Sequence, residues 1–510
     1  MKRILSIILV VVMILSASVL ALVSCDEPNT GDKGEGGDKG NGGNRADRIP
    51  LELPESAYAG YDGATYNILE WACGGQENAG ESWIPWEEGD VDQLDGGMLT
   101  QAVFDRNAWV EQEFSVNITK EYASVEVAPS HITRMRENAQ TTSNAYQLVT
   151  QRSRNLITMV QEELMYDMNQ LDGTILHTDQ PWWVQNSVES YTLGDKLYVA
   201  CTELLLRDKG ATAALYFNQT MAAEYDGLPN FFELVDNMEW TFDAMIEACV
   251  VVSHSADGDD LMNSGNDIWG MIGGDDPVFF LYAATGRQFA HIDGGGYLEY
   301  DFGYDPTSIT VMKEIYENVM YSDWYLNTAT DGSILDAYEG SVFVDGQALF
   351  AGGMVKSLNE YKEMEDLYGI LPYPKYDLDQ EGYNSLVWIH HDSVLGIPYH
   401  IDDAEMSAVI LEAMSWESDY RVYPTFYETI LLDRSAKDED SKRMLKLVFE
   451  TRIYDPGQYW DTVTGLQHGQ GLLRLTARES SDIASVWAEF QGAVEQCVKD
   501  INKMIDSMEE

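Results

Sequence analysis

One stretch of this chain is apolar for long enough to meet a membrane, and it stands at the very start. Lys2 and Arg3 precede an almost unbroken apolar run from Ile4 to Val23, closed by Ser24 and Cys25. A basic end, a greasy middle and a small residue before a cut is the order of a secretory signal peptide, here residues 1–24. Roughly 20 apolar residues also suffice to cross a bilayer, so an uncleaved anchor is the competing reading. Either way everything after Cys25 lies outside the cell. No second run of membrane length follows, so the rest has to fold by burying its own surfaces in water.

The residues at the cut, Leu22-Val23-Ser24-Cys25, resemble the lipobox of bacterial lipoproteins. That resemblance implies that Cys25 becomes the first mature residue, carries acyl chains (palmitate among them) and ties the protein to the extracellular side of the cell membrane. Each methylene buried in lipid adds about 0.8 kcal/mol of membrane affinity. Residues 26–50 read as a flexible linker, because Asp26 to Asn44 holds seven glycines among Asp, Lys, Asn, Glu and Thr, a composition with nothing to bury.

From Leu51 onward there are about 460 residues, too many for one core, and two large lobes are the natural division. Acids outnumber bases 86 to 31, for a net charge of -55. That balance speaks against a nucleic-acid partner, since a phosphate backbone requires a basic stripe. Besides Cys25 the cysteines are Cys73, Cys201, Cys249 and Cys497, far apart and without a Cys-x-x-Cys pair. They are expected to be small buried hydrophobes rather than a disulfide framework.

Strand-like and helix-like stretches alternate along the body. Tyr66 to Trp71 is β-rich, Leu99 to Phe114 has helical spacing, and Val116 to Thr119 is a second strand. Tyr146 to Thr150 with the helix Asn155 to Met168 repeats the order. Lys196 to Val199, Ala213 to Phe217, the helix Phe242 to Val252, Ser393 to Pro398 and the helix Asp403 to Trp416 extend it. Such alternation implies an α/β fold with sheets covered on both faces.

Several motifs in this order resemble the extracellular solute-binding proteins of ABC importers, family 1, the carbohydrate branch that contains the maltose-binding protein. They are LTQAVFDRNAWVEQEFSVNI after the first strand, the crossover segment Pro181 to Gln219, MEWTFDAMIEAC from Met238, FVDGQALFAGG from Phe343 and YGILPYPK from Tyr368. The resemblance implies a type II periplasmic-binding-protein fold in which hinge strands join two α/β lobes. Residues 51–172 and 376–428 would form the N-terminal lobe, and 173–375 and 429–510 the C-terminal lobe. It further implies a monomer that is not an enzyme, captures a sugar or oligosaccharide between its lobes and delivers it to a membrane permease.

A pyranose offers a flat C–H face to an aromatic ring and a rim of hydroxyls to carboxylates, amides and Arg. Trp83 and Trp86 lie in the Gly-rich loop between the first strand and the first helix, where loop residues commonly carry ligand contacts. Gln151, Arg152 and Arg154 follow the strand ending at Thr150, at the family's sugar-contacting position. Thr202 and Glu203 match its acidic cleft position, and Trp269 and Trp487 are platforms by looser alignment. Trp388, His390 and His391 sit where the chain returns through the hinge. Were that return a strand, the two histidines would point to opposite faces. Where the maltose-binding protein has Gly-Pro-Trp, this chain has Gly353-Met354-Val355, which puts maltose itself in doubt.

The segment Asp377-x-Asp379-x-Glu381-Gly382 begins like a calcium loop, but its twelfth position is Trp388 rather than a bidentate Glu, and no His-Glu-x-x-His occurs. Neither a metal nor a cofactor is expected. The competing classes are a secreted glycoside hydrolase, which needs two carboxylates about 5 to 9.5 Å apart, and a surface carbohydrate-binding adhesin. No Gly-x-Ser-x-Gly elbow favours the first, and no sequence repeat favours the second.

Overall fold

The computed structural model describes residues 48–72, 97–124, 130–141, 144–171, 173–258, 262, 266–329, 340–361, 364–428, 436, 438–460, 472 and 482–507. Cys25, Cys73, Trp83 and Trp86 lie outside them. The strands of the two larger sheets are β1 (Ala64–Ala72), β2 (Val116–Ser124), β3 (Leu148–Gln151), β4 (Ala213–Asn218), β5 (Trp269–Gly273), β6 (Tyr325–Asn327), β7 (Ala348–Met354), β8 (Tyr368–Leu371) and β9 (Val394–Gly396). The helices that matter below are α1 (Met98–Phe114), α2 (Ser130–Thr141), α3 (Ser153–Gln161), α4 (Phe242–Val252), α5 (Ala404–Pro424), α6 (Glu439–Glu450) and α7 (Ile483–Ser507).

The first sheet has the order β9-β3-β1-β2. β1 runs parallel to β2 along its whole length, from Ala64 opposite Val116 to Ala72 opposite Ser124. Parallel neighbours need a crossover, and α1 supplies it. Leu99, Val103, Val110 and Phe114 are buried along α1, the stripe that turns a helix toward a core. Tyr66, Ile68 and Leu69 are fully buried on alternate faces of β1, so this sheet is covered on both sides. α5 packs along α1, which makes it part of the same layer.

The second sheet has the order β8-β4-β7-β5-β6. β7, β5 and β6 are parallel, while β4 runs antiparallel to both β7 and β8. α4 covers β5, and α6 covers β8. Helix α4 begins where the Thr241 hydroxyl accepts from the Ala244 N–H, a standard N-cap.

Two segments depart from the expectations drawn from periodicity. The helix expected over Asn155 to Met168 is α3 and ends at Gln161, because Glu163 takes a left-handed φ of 57° that no helix can continue through. Lys196 to Val199 is no strand: Leu193 and Lys196 close a turn, and regular pairing appears only where Ala200 meets Leu395. Cys201, Cys249 and Cys497 are free and buried.

Two tertiary locks fix the helices. The indoles of Trp182 and Trp183 both donate to Glu412 of α5, at 2.8 and 2.9 Å. At the chain's entry, the Arg48 guanidinium lies 3.0 Å from the ring centroid of Trp416 and 4.2 Å from that of Tyr420, and pairs with Glu417 at 2.8 Å. The Trp416 indole returns a bond to the Ile49 carbonyl at 2.7 Å. All three partners of Arg48 belong to α5.

Candidate functional site

In open α/β sheets, ligands are taken outside the carboxyl ends of the strands. In the first sheet β3 ends at Gln151, which lies opposite Val394 at the start of the antiparallel β9. In the second sheet β7 ends at Met354, opposite Ala213 at the start of β4. These two edges meet. Thr212 bridges Val387, Trp388 N–H donates to the Ala211 carbonyl at 2.9 Å, Val355 N–H donates to Thr212 at 2.8 Å, and Ala200 pairs with Leu395. The crossover after Ala200 and the return through Val387 to Leu395 therefore run side by side between the sheets.

Basic side chains gather at this junction. Arg152 is the N-cap of α3 and Arg154 lies in its first turn. Lys356 sits two residues past β7, its Nζ 3.0 Å from His391 Nδ1, and Arg207 donates from Nε to the His391 carbonyl at 3.2 Å. His390 packs its ring 5.1 Å from that of Trp388. Burial, with Arg154 and Arg152 close by, lowers the His390 imidazole to about 4. Burial, then Lys356, Arg152, Arg207 and His390, lowers His391 to about 2. Both imidazoles are thus neutral at pH 7, and Nδ1 of His391 accepts from the Lys356 ammonium. Asp392 is fully buried, its Oδ1 accepts from Ser153 N–H at 3.1 Å, and burial raises it to about 7.

Neither a family model nor a curated protein sequence matches the chain. Solved structures do. An ABC substrate-binding protein from Listeria monocytogenes in complex with cycloalternan matches with a TM-score of 0.50 at 9% identity, over 87% of this chain and 100% of that one. A cyclo/maltodextrin-binding protein complexed with maltotetraose matches with a TM-score of 0.52 at 12% identity, over 87% and 98%. A sugar transporter protein from Rhizobium etli in an open conformation gives 0.50 at 11% identity, over 86% and 98%. The chain has the two-lobed α/β fold of these substrate-binding proteins. The two larger sheets are the cores of its two α/β halves.

Against that frame the residues singled out in the sequence separate into two groups. Gln151, Arg152 and His390 are at the junction. Gln151 is buried, and its Oε1 accepts from Arg152 N–H at 2.9 Å, which holds the α3 N-terminus in place. The return segment is a turn rather than a strand, since His391 and Asp392 N–H both donate to the Trp388 carbonyl at 3.0 Å. Strand alternation therefore does not separate the histidines, and both lie near Arg152.

The other expected residues serve packing. Trp388 is fully buried: its indole donates to Asp276 at 2.9 Å and its ring stacks on Phe279. Thr202 is inaccessible, and its hydroxyl accepts from Ser415 of α5 at 2.9 Å. The Glu203 carboxylate, expected to face a sugar, is buried instead 3.2 Å from Lys209 Nζ. Trp269 opens β5 and so lies at the amino end of the second sheet, away from the junction. Trp487 is buried in α7, stacked on Tyr300 at 6.0 Å with 9° between the planes and lying against Gly303. Gly303 has a φ of +83°, and a Cβ there would come within 2.2 Å of the indole, so the site admits only glycine.

Arg207, Lys356 and Asp392 were not read from the sequence as site residues. Lys356 follows the Gly353-Met354-Val355 stretch that replaces an aromatic platform, and that substitution was the available signal. A separate open groove lined by Tyr61, Asn67, Glu121, Gln147 and Asp403 borders the amino half of β1. Its polar groups bond to one another, with Asn67 donating to both Glu121 and Gln147.

Proposed function

We propose that this protein is the substrate-binding component of an ABC importer and binds a saccharide between its two lobes. The observation that carries the reading is the junction itself, where the carboxyl edges of two α/β sheets face each other across paired crossover segments. Two such lobes close on a ligand that makes more contacts in the closed state than in the open one. Residues 51–172 and 376–428 compose the first lobe, and residues 173–375 and 429–510 the second. Proteins sharing the fold hold cycloalternan and maltotetraose, which supports the ligand class. The body is carried outside the cell on a lipid at Cys25, hands its ligand to a permease as a monomer, and performs no chemistry on it.

A thermal-shift screen of residues 51–510 against mono- and oligosaccharides tests binding, since a ligand of the native state raises stability by RT ln(1 + [L]/Kd). At least one saccharide should raise the midpoint and be recovered unchanged. Cleavage products would replace this reading with a glycoside hydrolase. For the anchor, Cys25→Ser should abolish labelling by a fatty-acid probe in cells, and unchanged labelling would remove the lipid from the account.

A further inference from the structure

The open groove beside the amino half of β1 has a volume of about 580 Å³, within the roughly 300–1,000 Å³ of small-molecule sites. It is distinct from the junction. Asn144 to Gln147, on its lining, directly precede β3, whereas the junction begins at Gln151, the carboxyl end of that strand. An extended chain rises about 3.3 Å per residue, so Gln147 and Gln151 are ~13 Å apart.

The floor of the groove has its hydrogen bonds already made. The Asn67 amide donates to Glu121 at 3.2 Å and to the Ala145 carbonyl at 2.9 Å, and its oxygen accepts from the Thr119 hydroxyl at 3.0 Å. Gln147 accepts from Asn67 N–H at 2.8 Å and donates to Asn144. Arg134 and Tyr146 donate to Glu121 at 3.0 and 3.2 Å. The rim is different. Asn144 Oδ1 accepts from Gln147 and from Asp402 N–H, which leaves the two hydrogens of its Nδ2 without an acceptor among the described residues. Asp403 Oδ1 accepts from Met406 N–H at 2.8 Å as the cap of α5, and Oδ2 has no donor among the described residues. The hydroxyls of Tyr61 and Thr65 make no hydrogen bond there either. Burial, with Asp403 and Glu405 nearby, pushes the Tyr61 phenol up to about 12, so it keeps its proton at neutral pH.

We infer that this groove is a second binding site, outside the cleft between the lobes, and that it takes an uncharged saccharide on Tyr61, Thr65, Asn144 and Asp403. A sugar hydroxyl both donates and accepts, and the rim offers that mixture: two amide donors, a carboxylate acceptor and two hydroxyls that do either. A calcium ion needs six to eight oxygens, and the rim has one carboxylate oxygen to spare once Glu121 is held by Arg134. The Asn67–Gln147 floor is fixed before any ligand arrives, so little ordering is lost on binding. A site of this kind holds a glycan without the lobes having to close on it.

The test is fluorine nuclear magnetic resonance of residues 51–510 labelled with 3-fluorotyrosine, the Tyr61 line being the one absent from Tyr61→Phe. Maltotetraose, cellotetraose and the tetramer of N-acetylglucosamine are the probes. At least one should move the Tyr61 line with a Kd of about 1 mM, as an open groove with few contacts allows. Thr65→Trp, at an exposed position, fills the groove and should abolish the shift. Asn144→Gly suits the left-handed φ of 47° and removes the amide, so it should weaken binding about threefold or more. Raising NaCl from 50 to 500 mM should leave the affinity in place. A Tyr61 line unmoved by all three probes, or moved equally in Thr65→Trp, would overturn the site, and binding lost at high salt would overturn the uncharged class. The His390 resonance reports separately on the junction. A probe that moves His390 and leaves Tyr61 still would remove this groove and keep the saccharide reading above, and the converse would keep the groove alone.

Discussion

Two groups of charges touch the crossover two residues apart, one at Lys209 and one at Arg207, and they are built on opposite plans. Around Lys209, whose Nζ is wholly inaccessible, Glu203 lies at 3.2 Å and Asp208 at 3.3 Å, while the carbonyls of Thr202 and Leu205 accept from the same ammonium. Arg452 closes the other side of Asp208 at 3.1 Å. Two cations meet two anions, and the Lys209 and Asp208 side chains are wholly inaccessible. Around His391 the cations Arg152, Arg154, Arg207 and Lys356 gather with Asp392 as their carboxylate neighbour. The first group is complete and so holds the crossover together. The second surrounds buried imidazoles and lowers them, so residues of the same chemical type form close ion pairs in one place and crowd neutral histidines in the other.

The largest effect should come from breaking the complete group. Lys209→Met leaves Glu203 and Asp208 buried with less compensation and should cost about 3–5 kcal/mol in urea unfolding. A loss below about 1 kcal/mol would mean that water reaches the group and that the contrast is one of degree. Glu203→Gln keeps the shape and removes one charge, so it should cost on the order of 1 kcal/mol. Its ligand affinity should change less than twofold. A large affinity loss with unchanged stability would move Glu203 back into the cleft.

The histidines sharpen the comparison from the other side. In nuclear magnetic resonance titrations the imidazoles of His390 and His391 should remain neutral at pH 5, because their values are lowered to about 4 and about 2. A lowered histidine contributes stability that is present above its unfolded value, about 6.5, and is lost as pH falls toward the folded one. Asp392, raised to about 7, runs the opposite way, its stabilisation being present below its unfolded value and lost as pH rises through 7. The two trends overlap between about pH 4 and 6.5, which is why site-resolved titration decides where a global melting curve does not. Protonated imidazoles at pH 5 would show that solvent reaches the two rings and screens them from the cations. Arg154→Gln should have the smallest effect on stability, within about 0.5 kcal/mol, since it relieves like-charge crowding and breaks no bond among the described residues. A cost above about 1 kcal/mol would make Arg154 a structural residue like Lys209.

Where a segment's own chemistry decides its form, the sequence was enough. Phe242–Val252 is helical as expected because Thr241 caps it, and β1 and α1 follow from local alternation and helical spacing. The overrun of α3 came from extending a helical pattern past Glu163, whose backbone conformation no pattern of apolar residues encodes. At the site, Gln151 and Arg152 were legible because they directly follow a strand. Glu203 misled because it also follows a strand-like stretch, and its partner Lys209 is paired through the fold of the crossover rather than by any helical or strand spacing. Trp487 and Trp388 were aromatic residues in suggestive places, but their faces are taken by Tyr300 and Phe279. Burial against distant neighbours is the quantity that a single sequence conceals.

The Arg48 stack has a mechanical side. Arg48 is held by Trp416, Tyr420 and Glu417, all on α5, and α5 lies along α1 over the first sheet. Under the proposed anchoring, a pull arriving through the residues before Arg48 would meet α5 first. From there Glu412 would pass it to Trp182 and Trp183 at the head of the crossover, so one helix would share the tension between both of the proposed lobes.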